Sequence, residues 1–283
     1  MKISFKYMLL SLGLISLGVG SYFGYTLWRV LSIGTAYQAK QFCSGIFVSG
    51  RTPESIFNQD ILAEIKGLSS LEQLIVKSIQ VSIDRPQQSV TASIFGLVKH
   101  FAIFRAGLGC TLVIDTSATE LRSQVKSMRF APHKLDKWQF LEQKERETPE
   151  INQKQLKVAL DSVFHPQQNT RAVVVVYRGQ IVAERYAPSF SSKMPLPGWS
   201  MTKSITNALV GILIKEGKLS LLDKNLMPQW NNGDDRRSQI TLDGMLRMSS
   251  GLKFNESEGN PLGDLIQMLL VGQTRLYMRQ IIP

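Results

Sequence analysis

Between Lys6 and Arg29 stand 22 consecutive residues, Tyr7–Trp28, without a single charge. Coiled as a helix, such a stretch reaches roughly 30 Å, the thickness of bilayer hydrocarbon. Residues 1–40 are therefore expected to form a membrane anchor or signal segment. Lys2 and Lys6 favour a cytoplasmic N-terminus, and Arg29 and Lys40 beyond the run weaken that bias. The run is long for the apolar part of a cleaved signal, which favours an anchor. Cleavage stays open, because Gly34-Thr35-Ala36 supplies small residues at suitable spacing. In both cases the rest of the chain is expected on the periplasmic or extracellular side.

Composition agrees with a folded protein outside the cytoplasm. Of 283 residues, 43% are hydrophobic and 19% charged, ample for one large core or two smaller ones. The net charge is +11, and removal of Lys2 and Lys6 leaves 11 − 2 = +9. That charge suits an anionic lipid or cell-wall surface, or simply a soluble basic surface. The basic residues are dispersed and have no aromatic-basic recognition motif among them, so nucleic acid is not an expected partner. The two cysteines, Cys43 and Cys110, both follow the apolar run. In an oxidising compartment they are expected to pair, and two buried free thiols are the alternative.

Residues 41–150 read as a β-rich extension with a linker. Val76–Asp84 alternates, Asp84-Arg85-Pro86 marks a turn, and Ser89–Val98 resumes strand character. Thr111–Ile114 is a further short apolar run, and the polar stretch 133–155 reads as a linker. A second region, 151–283, opens with Ala172–Tyr177, a turn at Arg178-Gly179, and Gln180–Tyr186, a hairpin pattern. After a loop with Pro188, Pro195 and Pro197 comes Ser200-Met201-Thr202-Lys203. Met201, Ile205, Ala208, Leu209, Ile212 and Leu213 then mark one face of a helix, the stripe of a helix packed on a sheet. Gly217 suits its C-terminal end. A second helix is expected from Thr241 as N-cap to Gly251.

A serine hydroxyl attacks carbonyls only when something removes its proton. Serine and lysine three residues apart at a helix start lie on one face, one turn apart. The lysine acts as base if burial or neighbouring positive charge favours its neutral form. The helix N-terminus adds N–H groups and a positive field that suit an oxyanion. Ser-x-x-Lys occurs at Ser123–Lys126, Ser200–Lys203 and Ser250–Lys253, and the spacing by itself is a weak signal. Ser123 sits in a charged stretch and Ser250 at a helix end. Ser200 alone stands between a loop and a long apolar-faced helix, which selects Ser200 and Lys203 as candidate catalytic residues.

Gly198-Trp199-Ser200-Met201-Thr202-Lys203-Ser204, Gly211 and Glu216-Gly217-Lys218-Leu219 resemble the first motif of class C β-lactamases and their relatives. Ile240-Thr241-Leu242 and Met248-Ser249-Ser250-Gly251-Leu252 resemble the segment that follows it. The likeness covers residues 170 to about 270 and extends to the nylon-oligomer hydrolase branch and to exported serine hydrolases. Cys43–Arg51 and Gly107-Leu108-Gly109-Cys110 resemble, less specifically, the N-terminal extension of exported relatives. The resemblance implies an α+β fold, a β-lactamase/transpeptidase-like antiparallel sheet with flanking helices, here partial and preceded by the membrane helix and the β-rich region. It implies an acyl-enzyme mechanism on an amide, β-lactam or ester of small-molecule or cell-wall type, with no cofactor. Ser200 would be acylated, Lys203 would exchange its proton, and the Ser200 N–H would be half of the oxyanion hole.

The family also carries Tyr-x-Asn and Lys-Thr-Gly motifs, and this sequence contains neither. Tyr277 is the only tyrosine after Ser200 and does not match. The expectation is a truncated domain, either an enzyme in ancestry or a catalytically inactive, membrane-anchored binding protein. A Ser-His-Asp hydrolase is the rival chemistry. Gly198-x-Ser200-x-Thr202 nearly matches its nucleophile turn, but His100, His133 and His165 all precede the serine, against its usual chain order. The histidines show no metal-ligand spacing. Asp234-Asp235 beside Arg236-Arg237 reads as a solvated loop.

Overall fold

A computed structural model describes residues 5–127, 149–231, 235–257, 260 and 263–271, and the side chains of these from residue 13 onward except 125–127. By contacts it divides into two units, one of residues 1–195 with 256–273 and one of 196–255 with 274–283.

In the first unit, helix α1 runs unbroken from Phe5 to Phe47. Its far half is seated on an antiparallel sheet of order β1-β2-β3-β4: Gln80–Asp84, Ser89–Ile94, Val98–Arg105 and Gly109–Leu112. Val90, Ala92, Ile94, Val98 and Ala102 point from the sheet into a core with Ala39, Phe42, Cys43 and Ile46 of α1. Ser32, Thr35, Ala36 and Ala39 are all buried, and such small side chains let a helix lie close to a sheet. Cys43 and Cys110 are disulfide-bonded with Cα atoms 6.0 Å apart, as the sequence led one to expect. Short turns α2 (Pro53–Ile56) and α3 (Leu62–Glu64) flank a wider turn, Phe57–Ile61. A Cβ on Gly45 would meet Ile56 Cδ1 at 2.4 Å, so only glycine lets α1 and α2 approach this closely.

Several expected boundaries move. Val76 and Lys77 belong to helix α4 (Ser70–Lys77), not to a strand. Ser69 and Glu72 form a capping box there, and those reciprocal bonds start a helix that the alternation of Val76–Asp84 conceals. Ser89–Val98 is not one strand: Phe95 and Gly96 have φ of +52° and +69°, and the Leu97 N–H returns to the Ile94 carbonyl at 3.0 Å. Helix α5 (Ala118–Ser127) lies against β3. Residues 128–148, most of the expected linker, fall outside the described residues, as does His133. The end of that stretch is helical, since the Asn152 side chain caps α6 (Gln153–Val163).

The hairpin stands where it was read, β5 (Ala172–Tyr177) and β6 (Gln180–Tyr186), turned by Arg178 and Gly179 at φ +48° and +78°. Asp60 of the wider turn takes ion pairs from Arg51 and Arg171, and both guanidiniums lie over the Phe190 ring. Asn169 and Arg171 also donate to the Gln59 carbonyl, each at 2.7 Å. These bonds fasten the extension to the start of β5. The short helix α9 (Asp264–Ile266) continues as a wide turn, Gln267–Val271, and Arg29 donates to the buried Gln267.

The second unit holds α7 (Thr202–Lys215) and α8 (Leu242–Leu246). Gly217, at φ +69°, ends α7, and the Lys218 N–H bonds the Leu213 carbonyl at 2.9 Å. Thr241 caps α8 as expected, but α8 stops short of Gly251, because Met248 at φ +59° turns the chain and the Ser249 N–H returns to Gly244. The α+β content with antiparallel sheets fits the fold class expected. Among the described residues no helix is long and apolar enough to cross a membrane, and the expected span Tyr7–Trp28 begins in residues whose side chains lie outside the description.

Candidate active site

Ser200 lies in a single turn of 3-10 helix, Trp199–Met201, that leads directly into α7. Two hydrogen bonds hold the entry: the Met201 N–H to the Gly198 carbonyl at 2.9 Å, and the Thr202 hydroxyl to the Trp199 carbonyl at 2.6 Å. Trp199, a bulky residue, sits at φ +41°, a conformation that costs energy for any residue with a Cβ. That bend delivers the next residue, Ser200, to the start of α7, where backbone N–H groups and the helix field favour negative charge.

Lys203 Nζ donates to the Ser200 hydroxyl at 3.0 Å. Three residues of helix put the two side chains on one face, and the structure brings their polar atoms into hydrogen-bond distance. Both side chains are exposed. The other two Ser-x-x-Lys pairs have different environments. The Ser123 hydroxyl donates to the Glu120 carbonyl within α5, and the Ser250 hydroxyl accepts from the Leu252 N–H. The Lys126 side chain is outside the described residues.

The stripe of α7 is apolar as expected. Within its own unit the stripe is open: Met201 is 70% exposed, Ile205 61% and Leu209 57%. Ile212 and Leu213 are exposed as well. The periodicity read from the sequence is real, but no described element of the second unit covers it. Burial of such a stripe depends on a partner surface that periodicity alone does not supply.

The remaining candidates fall into structural roles. His100 bonds the Thr35 hydroxyl through Nδ1 at 2.8 Å and lies 3.4 Å from the Ser32 hydroxyl through Nε2. Burial pushes its pKa down. His165 is exposed. Asp235 is not solvated but pairs with Arg237, both side chains largely covered, and the hydrogen bonds from Arg237 hold its carboxyl below the usual range. Asp234 lies outside the described residues, as do Tyr277 and the rest of 272–283. Trp199 was missed as a positioning residue, because nothing in its type signals a positive φ.

No curated protein and no solved structure matches the chain. Residues 160–277 match the family model described as Beta-lactamase, and that match supports a β-lactamase-like serine hydrolase for this part of the chain.

Proposed function

We propose that the chain is a membrane-anchored serine hydrolase that works through an acyl-enzyme, with Ser200 as nucleophile and Lys203 as its proton acceptor. The observation that carries this is the 3.0 Å contact between Lys203 Nζ and Ser200 Oγ at the start of α7, inside the segment that matches the Beta-lactamase model. In the first step the hydroxyl proton passes to Lys203 Nζ while Oγ bonds the carbonyl carbon. The C–N or C–O bond then breaks and the leaving amine or alkoxide takes the proton that Lys203 received; water next attacks the acyl carbon, which frees the acid and returns a proton to Ser200 Oγ. Substrates of amide, β-lactam or ester type, including cell-wall peptides, fit this chemistry, and the motif around Ser200 resembles that of the nylon-oligomer hydrolase branch. The same reading divides the chain into an anchor of 1–40, an extension of 41–150 and a β-lactamase-related domain of 151–283.

Placement outside the cytoplasm is part of the proposal. It is supported by the uncharged run Tyr7–Trp28 and by the Cys43–Cys110 disulfide, a bond of oxidising compartments. Gly34-Thr35-Ala36 lies inside α1 with Thr35 and Ala36 fully buried, which supports an anchor kept in place rather than one cleaved there.

A non-catalytic, membrane-anchored binding protein is the second reading. The exposure of Ser200, Lys203 and the α7 stripe favours it, since substrate sites are concave and dry. Labelling of the full chain with a fluorescent penicillin and with a fluorophosphonate probe separates the two. Labelling that disappears in Ser200→Ala supports the hydrolase. Labelling that survives Ser200→Ala overturns the assignment of the nucleophile, and no labelling by either probe favours the binding protein.

A further inference from the structure

The sheet of the first unit has two chemically different ends. At one end the β1–β2 turn exposes Arg85 and Gln87, and Arg105 and Arg122 lie beside it, with Arg122 donating to the Gln87 carbonyl. At the other end the β2–β3 turn exposes Phe95 at 71% and Leu97 at 85%. Phe95 is also at φ +52°, a conformation that favours Gly, Asn or Asp at a hairpin turn. A bulky aromatic residue there is unfavourable twice, for its backbone and for its exposure to water. Neither folding nor packing within the unit explains the choice.

The position of this tip relative to α1 follows from two joints. Thr35 bonds His100 on β3, and Cys43 is bridged to Cys110, which pairs with Phe104 of β3. The helix between Thr35 and Cys43 rises about 12 Å and the strand between His100 and Phe104 about 13 Å, so the two run side by side in one direction. Continuing back from His100 to Gly96 covers another ~13 Å, which along α1 ends near Thr26. The tip is thus level with the part of α1 that leaves the protein core. There Leu14, Ile15, Leu17, Tyr22, Phe23, Tyr25 and Trp28 are all exposed, apolar on every side of the helix. Tyr25 and Trp28, with the Arg29 guanidinium over the Tyr25 ring, have the composition of a membrane interface. Lys99, exposed two residues from Leu97, is placed to reach lipid phosphate. From residue 86 to residue 114 the chain has no Asp or Glu.

We propose that Phe95 and Leu97 insert into the outer interface of the bilayer that α1 enters, so that the β2–β3 hairpin is a second membrane contact. This rests on the reading of Tyr7–Trp28 as a span. Two contacts on a unit held rigid by the Thr35–His100 and Cys43–Cys110 joints set the orientation of the sheet to the membrane, which a single helix does not.

The full, oxidised chain is reconstituted in phosphatidylcholine–phosphatidylglycerol vesicles, with a nitroxide on one added cysteine: Leu17→Cys, Leu97→Cys or Arg85→Cys. Accessibility to oxygen relative to a water-soluble nickel complex is then read at each site. The expected result is a ratio several-fold higher at 17 and at 97 than at 85, with 97 shallower than 17. A high ratio at 17 and a water-like ratio at 97 overturns the hairpin contact and leaves the span standing. A water-like ratio at 17 overturns the span, and the proposal with it. Loss of the high ratio at 97 when Phe95→Asn is added, with the ratio at 17 unchanged, ties the contact to the apolar tip. An unchanged ratio at 97 would overturn the role of Phe95.

Discussion

Lys203 Nζ lies 3.0 Å from Ser200 Oγ, and the contact joins the two atoms between which a proton passes if Ser200 is acylated. Lys203→Ala is expected to slow acyl labelling by about 10²–10⁴-fold, the usual contribution of a positioned proton acceptor. Lys203→Arg should not restore it, because a guanidinium keeps its proton at any working pH. Labelling rates of the three proteins decide this, and rescue by arginine would mean that positive charge, not proton transfer, is the role of Lys203.

The disulfide joins α1 to the sheet across 67 positions of chain. Non-reduced peptide mapping by mass spectrometry should recover Cys43 linked to Cys110. Cys110→Ser should lower stability by about 2–5 kcal/mol, measured by denaturant unfolding in detergent. Two freely alkylated thiols in the native protein would refute the pairing.

Phe95→Asn should raise stability by about 1 kcal/mol in detergent, since asparagine tolerates positive φ at far lower cost than phenylalanine. A fall in stability would show that the Phe95 ring packs within the fold.

Burial lowers the pKa of His100, so between that value and the ordinary one of about 6.5 the unfolded chain binds more protons than the folded one. The sign follows: stability from this group is fully present above about pH 6.5 and is lost as pH falls toward the folded value. Melting temperatures measured from pH 7.5 to about 5 should therefore decline, and His100→Gln should flatten the decline. An identical decline in the variant would assign it to other groups.

The exposed stripe of α7 makes a prediction opposite to its periodicity. Ile205→Ser and Leu209→Ser should each change stability by less than about 0.5 kcal/mol, as exposed substitutions do. Ile94→Ala, at a fully buried position, should cost about 2–5 kcal/mol. A cost near that of Ile94→Ala at Ile205 would show the stripe to be covered in solution.

Local chemistry made part of this structure legible in the sequence. The β5–β6 hairpin was readable because Arg178-Gly179 turns the chain between two β-branched runs. The α7 helix and its end were readable from a stripe and from Gly217, and the Ser200–Lys203 pair from the three-residue spacing that puts two side chains on one helical face. With only two cysteines, one pairing was possible. Helices α4 and α6 carried readable caps at Ser69-x-x-Glu72 and Asn152, which stronger-looking patterns masked.

Tertiary structure decided what depends on residues far apart. That α1 runs on to Phe47 and beds Thr35 against His100, and that Asp60 gathers Arg51 and Arg171, follow from contacts across many positions of the chain. The burial of a helical stripe is decided in the same way. Periodicity specifies which side of a helix is apolar, whereas the free energy of covering it comes from the surface it meets, and a sequence read locally does not contain that surface.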